Sequence, residues 1–67
     1  MTNIWDFIDA DRLSITTKDG QVYIGRKAGI FDAEEINTEE DCIDIQLSDG
    51  RIIGFTQSEI KSIVEMK

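Results

Sequence analysis

Apolar and polar residues alternate along two stretches of this chain and crowd onto both faces of two others. Over residues 13–18, Leu13, Ile15 and Thr17 share one side while Ser14 and Thr16 share the other. That two-residue period is the mark of a half-buried strand. Residues 42–47 repeat it, with Ile43, Ile45 and Leu47 opposed to Cys42, Asp44 and Gln46. Residues 21–28 carry Val22 and Ile24 on one side and Tyr23 and Gly25 on the other, while residues 51–55 carry Ile52, Ile53 and Phe55. Apolar character on both faces predicts strands buried twice over or bent through a core, and a glycine inside a strand, here Gly25, permits such a bend. Ile60, Ile63 and Val64 predict a last short strand over 60–64.

The punctuation agrees with this pattern. Asp19-Gly20 and Asp49-Gly50 each lie between strand-like runs, the strongest short-range signal for a hairpin. Ala28 to Asp32 continues or re-enters the sheet, Asp32 to Asp41 loses all periodicity, and Thr56-Gln57-Ser58-Glu59 reads as a tight turn of 3₁₀ character. Ahead of the strands, residues 3–11 predict a short helix capped by Thr2 or Asn3. Asp6 lies in its first turn, and Ile4, Trp5 and Ile8 share one face. Nine residues do not make an autonomous helix in water, so it is expected to dock over an open end of the sheet through Trp5. The expected fold is mainly β: a short N-terminal α-helix followed by a strongly bent five-stranded antiparallel barrel, one domain over residues 1–67.

Composition narrows the chemistry. A 67-residue chain buries only about 60% of its unfolded surface, and small domains usually add a disulfide, a metal or self-association. The single Cys42 and the absence of histidine remove an internal disulfide and a structural zinc site, which leaves self-association. One cysteine, no long apolar run and no cationic leader ahead of an apolar stretch predict a cytoplasmic protein without a membrane partner. Fourteen acids oppose seven bases, and seven of those acids (Glu34, Glu35, Glu39, Glu40, Asp41, Asp44, Asp49) fall within residues 33–49, which hold no base. That balance opposes non-specific nucleic-acid binding, whose affinity comes from Lys and Arg on phosphates.

The order of helix, two Asp-Gly hairpins, tight turn and last strand resembles the Sm/LSm family of small barrels over residues 3–67. The resemblance rests on Gly20, Tyr23, Gly25, Phe31-Asp32 and Ile36-Asn37, and on the apolar frame of Phe55, Ile60 and Ile63. The family's Arg-Gly pair is replaced by Thr56-Gln57. The resemblance implies a ring-forming homo-oligomer whose interface uses Ile52, Ile53, Phe55, Ile60 and Ile63. It also implies an RNA site at Phe31, Asp32 and Asn37.

Arg26 and Lys27, which follow Gly25, are further candidates for RNA contact, through a small cationic patch that they would form with Arg51 after the second turn if the hairpins align, and that assembly would multiply. Catalysis finds little support, since no histidine is present and Asp41 beside Cys42 opposes a reactive thiolate. No catalytic residue, metal site, cofactor or small-molecule substrate is expected. The acids of 32–41 lack the spacing of a calcium loop and read as a solvated surface segment. The expected function is an oligomeric Sm-like module that binds or accompanies RNA. The alternative is a protein-interaction barrel without the RNA site that meets its partner through the acidic 32–41 loop or its sheet edges.

Overall fold

The computed structural model describes residues 3–66, so Thr2 as a cap and Lys67 among the bases lie outside the described residues. Five strands, β1 (Arg12–Thr17), β2 (Val22–Phe31), β3 (Cys42–Gln46), β4 (Ile52–Thr56) and β5 (Ile60–Met66), form one antiparallel sheet in the order β4-β3-β2-β1-β5. The predicted second strand is longer than the sequence pattern suggests, because Ala28 to Phe31 continue it without a break. A bulge between Lys27 and Gly29 absorbs the extra residue against β3.

Both Asp-Gly turns form, and they form in the same way. Thr17 N–H donates to Gln21 O and Gly20 N–H to Thr17 O, and the pattern recurs at Leu47, Arg51 and Gly50. Gly20 and Gly50 each sit at φ +91°, the left-handed position that closes a three-residue hairpin loop. In both loops the aspartate side chain accepts from the amide two residues on, Gln21 or Arg51.

The expected α-helix over 3–11 is absent. In its place Ile4–Phe7 forms a single 3₁₀ turn, with the Asn3 side chain accepting from Trp5 N–H. Three residues per turn put positions i and i+3 together, so Ile4 and Phe7 face the core and Ile8 is left 53% exposed. The side chain of Lys27 then holds the turn by donating to the carbonyls of Phe7 and Ile8.

The interior is built from one face of the sheet. Leu13, Ile15, Ile43 and Ile45 are fully buried with Ile4, and Phe55, Ile60 and Ile63 close around them. Tyr23 on β2 and Phe55 on β4 touch ring to ring at 5.1 Å although β3 lies between their strands. That contact requires a sheet curled over its own inner face. The sheet is not closed into a barrel: β4 pairs only with β3 and β5 only with β1 among the described residues. The 3₁₀ turn Gln57–Glu59 carries the chain between the two outer strands without pairing them.

Of the two expectations for β2, burial on both sides does not hold, since Val22 and Ile24 face outward, 58% and 47% exposed, whereas the bend is present. The curl is written at Gly25, where a Cβ would lie 2.4 Å from the carbonyl oxygen of Gln46. A backbone atom cannot swing aside, so Gly25→Ala is expected to destabilise the fold. Ile45→Ala should lower the free energy of unfolding by about 2–5 kcal/mol, and Ile45→Val by about 0.5–1.5 kcal/mol. Urea titrations of the three variants check the ranking, and unchanged midpoints would refute this placement of the core.

Candidate functional site

The candidate binding residues divide between the two faces and two ends of the sheet. Arg26 and Lys27 are neighbours in sequence and therefore point to opposite faces of β2. Arg26 is exposed, 3.7 Å from Asp11, while Lys27 is half-buried and committed to the carbonyls of the first 3₁₀ turn. The two do not form a shared cationic patch. Phe31 ends β2 opposite Cys42, and its ring lies over Gly29, where an added Cβ would stand 2.8 Å from the ring.

Asp32, Asn37 and the acids between them belong to the β2–β3 connection. The Asp32 carboxylate accepts from Glu34 N–H, and backbone bonds from Glu35 to Asp32 and from Thr38 to Ala33 wind the segment into compact turns. Asn37 takes φ +54°, a left-handed conformation that asparagine tolerates better than most residues. Phe31 therefore ends β2 where the connection carrying Asp32 and Asn37 begins, and that connection also holds the exposed Glu34, Glu35 and Glu39. A phosphate backbone approaching this segment meets like charge.

The acidic segment is also not a purely solvated one, because its last two acids hold the fold together. Asp41 accepts from the indole Nε1–H of Trp5 at 2.7 Å and from Ala33 N–H at 2.8 Å. These two hydrogen bonds, the indole first, hold its carboxyl below the usual carboxylate range. Glu40 accepts from the amide and the hydroxyl of Ser58, both at 2.8 Å, and so satisfies the start of the second 3₁₀ turn. Glu59 completes that turn by accepting from Thr56 N–H and Oγ1–H, which lowers its own pKa. Composition alone does not separate these structural carboxylates from the free ones, since all lie in one acidic run.

Cys42 is half-buried, with burial and then the carboxylates of Asp44, Glu40, Glu59 and Asp41 pushing its thiol up. It is a poor nucleophile for that reason. No cluster of three or more potential metal ligands occurs among the described residues, and no helix among them is long and apolar enough to cross a membrane.

Of the expected interface residues, Ile52 is 60% exposed on the edge strand β4 and Ile53 is half-buried. Phe55, Ile60 and Ile63 are core residues, so the side chains themselves are not free to meet a neighbour. What the edges offer instead is backbone. In the β3–β4 ladder Leu47 bonds Arg51, so the alternation of an antiparallel pair turns the amides and carbonyls of Ile52 and Gly54 outward, while the Thr56 amide is already taken by Glu59. The same count along β1 turns those of Ile63 and Glu65 outward on β5.

The Asp41 bonds generate a pH prediction. A depressed carboxylate stabilises the fold fully above its unfolded value, about 4, and that stabilisation is lost as pH falls through the lower folded value. The emission of Trp5, the single tryptophan, should shift to the red below about pH 4. In Asp41→Asn the shift should already be present in part at neutral pH, with a flatter acid dependence. Identical pH profiles for the two proteins would show that the bridge contributes nothing.

No protein-family model, no curated protein and no solved structure matches this chain.

Proposed function

We propose that this chain is a non-enzymatic, Sm-like interaction module that assembles edge to edge with copies of itself and meets a protein partner through its acidic 32–41 segment. The observation that carries the reading is the pair of unpaired strand edges, β4 and β5, at the two ends of one curled sheet. Neither strand holds a proline, and only one lysine, Lys61, and one glutamate, Glu65, lie on them. Natural edge strands that stay unpaired are usually blunted by charge, proline or a cover. Exposed Ile52 on β4 and exposed Val64 on β5 add apolar surface beside those backbone groups. A β4 edge docking antiparallel to the β5 edge of the next copy is a head-to-tail contact, which closes into a ring when the rotation per subunit permits. On this reading the curled sheet is an Sm-like barrel whose gap between β4 and β5 is filled by neighbouring subunits.

One observation favours the RNA reading: Asp32 and Asn37 share the β2–β3 connection and Phe31 ends the strand that leads into it, as the Sm resemblance implies. Against it stand the exposed Glu34, Glu35 and Glu39 on the same connection and the replacement of Arg-Gly by Thr56-Gln57. The charge around the segment suits a Lys/Arg-rich protein face, where complementarity sets encounter rate and specificity.

Light scattering at high micromolar concentration should show an oligomer, and Ile52→Lys, which places a charge on the β4 edge, should shift it toward monomer without loss of folding. A monodisperse 7.6 kDa species would overturn the assembly reading. Fluorescence anisotropy with U-rich and A-rich oligonucleotides at low salt separates the two ligand classes. No binding is expected at about 50 µM protein, and saturable binding at or below that concentration would restore RNA.

A further inference from the structure

The ladder between β2 and β3 begins at Arg26 and Gln46; on the far side of that pair the strands part, Ile24 going one way and Leu47 to Gly50 the other. The parting leaves an open notch of about 640 Å³, lined by Ile24, Leu47 and Ser48 together with Arg12 and Arg26. We propose that this notch binds a phosphoryl group, held by the guanidinium groups of Arg12 and Arg26.

Arg12 and Arg26 are direct cross-strand partners on the outer face. The hydrogen bond from Thr17 to Gln21 sets the alternation of the β1–β2 ladder and makes Arg12–Arg26 a non-hydrogen-bonded pair. Residues in such pairs stand closest, with Cα atoms about 4.5 Å apart. Like charges directly opposite destabilise a sheet. In a chain with a net charge of −7, carboxylates are abundant, yet none occupies the outward positions of β5, β1 and β2 around this pair; on β3 the outward residue opposite Arg26 is the neutral Gln46, with Asp44 two residues further along. Asp11 relieves only Arg26, at 3.7 Å and between two highly exposed side chains, a contact of little weight. The Arg12 guanidinium and the Ser48 hydroxyl have no hydrogen-bond or ion-pair partner among the described residues.

Two adjacent forks with one weak counter-charge select for the anion. A carboxylate carries one charge and answers one arginine. A phosphomonoester carries about −1.5 to −2 with three acceptor oxygens, enough to engage both guanidiniums at once. Ile24 and Leu47 provide an apolar wall for the organic part of such a molecule, and the Ser48 hydroxyl is available as a further donor. The notch lies at the opposite end of the β2–β3 ladder from Phe31 and Cys42, away from the acidic connection. It does not depend on the protein-partner or RNA reading of that connection.

Amide chemical shifts of the isotope-labelled protein, followed while inorganic phosphate, uridine monophosphate and uridine are added separately at low salt, test this directly. Phosphate and the monophosphate should both move Ile24, Gly25, Arg26 and Leu47–Gly50 saturably, with the monophosphate tighter, while uridine leaves them in place. Arg12→Gln and Arg26→Gln should each weaken binding about tenfold, the expectation for one charge-assisted contact. Each should leave the thermal midpoint unchanged or raised, because it removes the like-charge opposition. Arg12→Lys, which keeps the charge and loses the fork, should fall between. Absence of saturable shifts with both phosphates overturns the proposal, and so does equal binding of uridine or undiminished binding by both glutamine variants.

Discussion

Everything in this molecule depends on how sharply one sheet is bent. Five strands have a single apolar face to hide, and no second layer is present among the described residues to hide it against. The sheet must therefore supply both walls of its own core. Gly25 makes that possible by letting the carbonyl of Gln46 come within a distance that no side chain permits. The bulge between Lys27 and Gly29 adds twist at the neighbouring step, and the ring contact of Tyr23 with Phe55 across β3 is the result. Ile15, Ile43 and Ile45 are fully buried only because of this curvature.

Hydrogen bonds tie the two 3₁₀ turns to the curled sheet and to each other. The first 3₁₀ turn lies over one side of the core through Ile4, whose amide donates to the Gln57 side chain. Trp5 is tied to Asp41, and Lys27 satisfies the turn's last carbonyls. Glu40 and Glu59 do the corresponding work for the second turn. A run of acids that looks like a solubilising face thus contains the groups that join the β2–β3 connection to both turns. This arrangement explains how a chain with so little core holds both 3₁₀ turns and the connection in place without a disulfide.

The same geometry separates the surfaces available for binding. The strand edges are at the ends of the sheet, the acidic connection is at one end of the β2–β3 ladder, and the arginine-lined notch is at the other. Their charges differ in sign, so a single partner does not suit both ends of the ladder. A curled sheet with unpaired edges also has a physical reason to assemble, since pairing the outward amides and carbonyls of β4 and β5 removes an exposed template for aggregation.

Much of the fold was legible in the residues alone, because the signals concerned are local. Alternation over 13–18 and 42–47, the two Asp-Gly turns and the tight turn at Thr56–Glu59 each depend on backbone preferences within a few positions, and all five appear where the pattern puts them. The N-terminal element was misread because the difference between an α-helix and a 3₁₀ turn over so few residues rests on distant partners. Lys27, Asp41 and Gln57 decide that Phe7 and not Ile8 turns inward. Phe55, Ile60 and Ile63, which the resemblance places at an interface, have their side chains in the core of the curled sheet, because apolar residues on an edge strand look alike in sequence whether they face a neighbour or the interior. Which acids are structural, and that Arg12 stands beside Arg26, followed from register and long-range contacts. The sequence determined the strands and turns, whose energies are set by neighbours in the chain. Tertiary structure alone decided the curvature, the open edges and the charge pairs, because each is made by residues that only folding brings together.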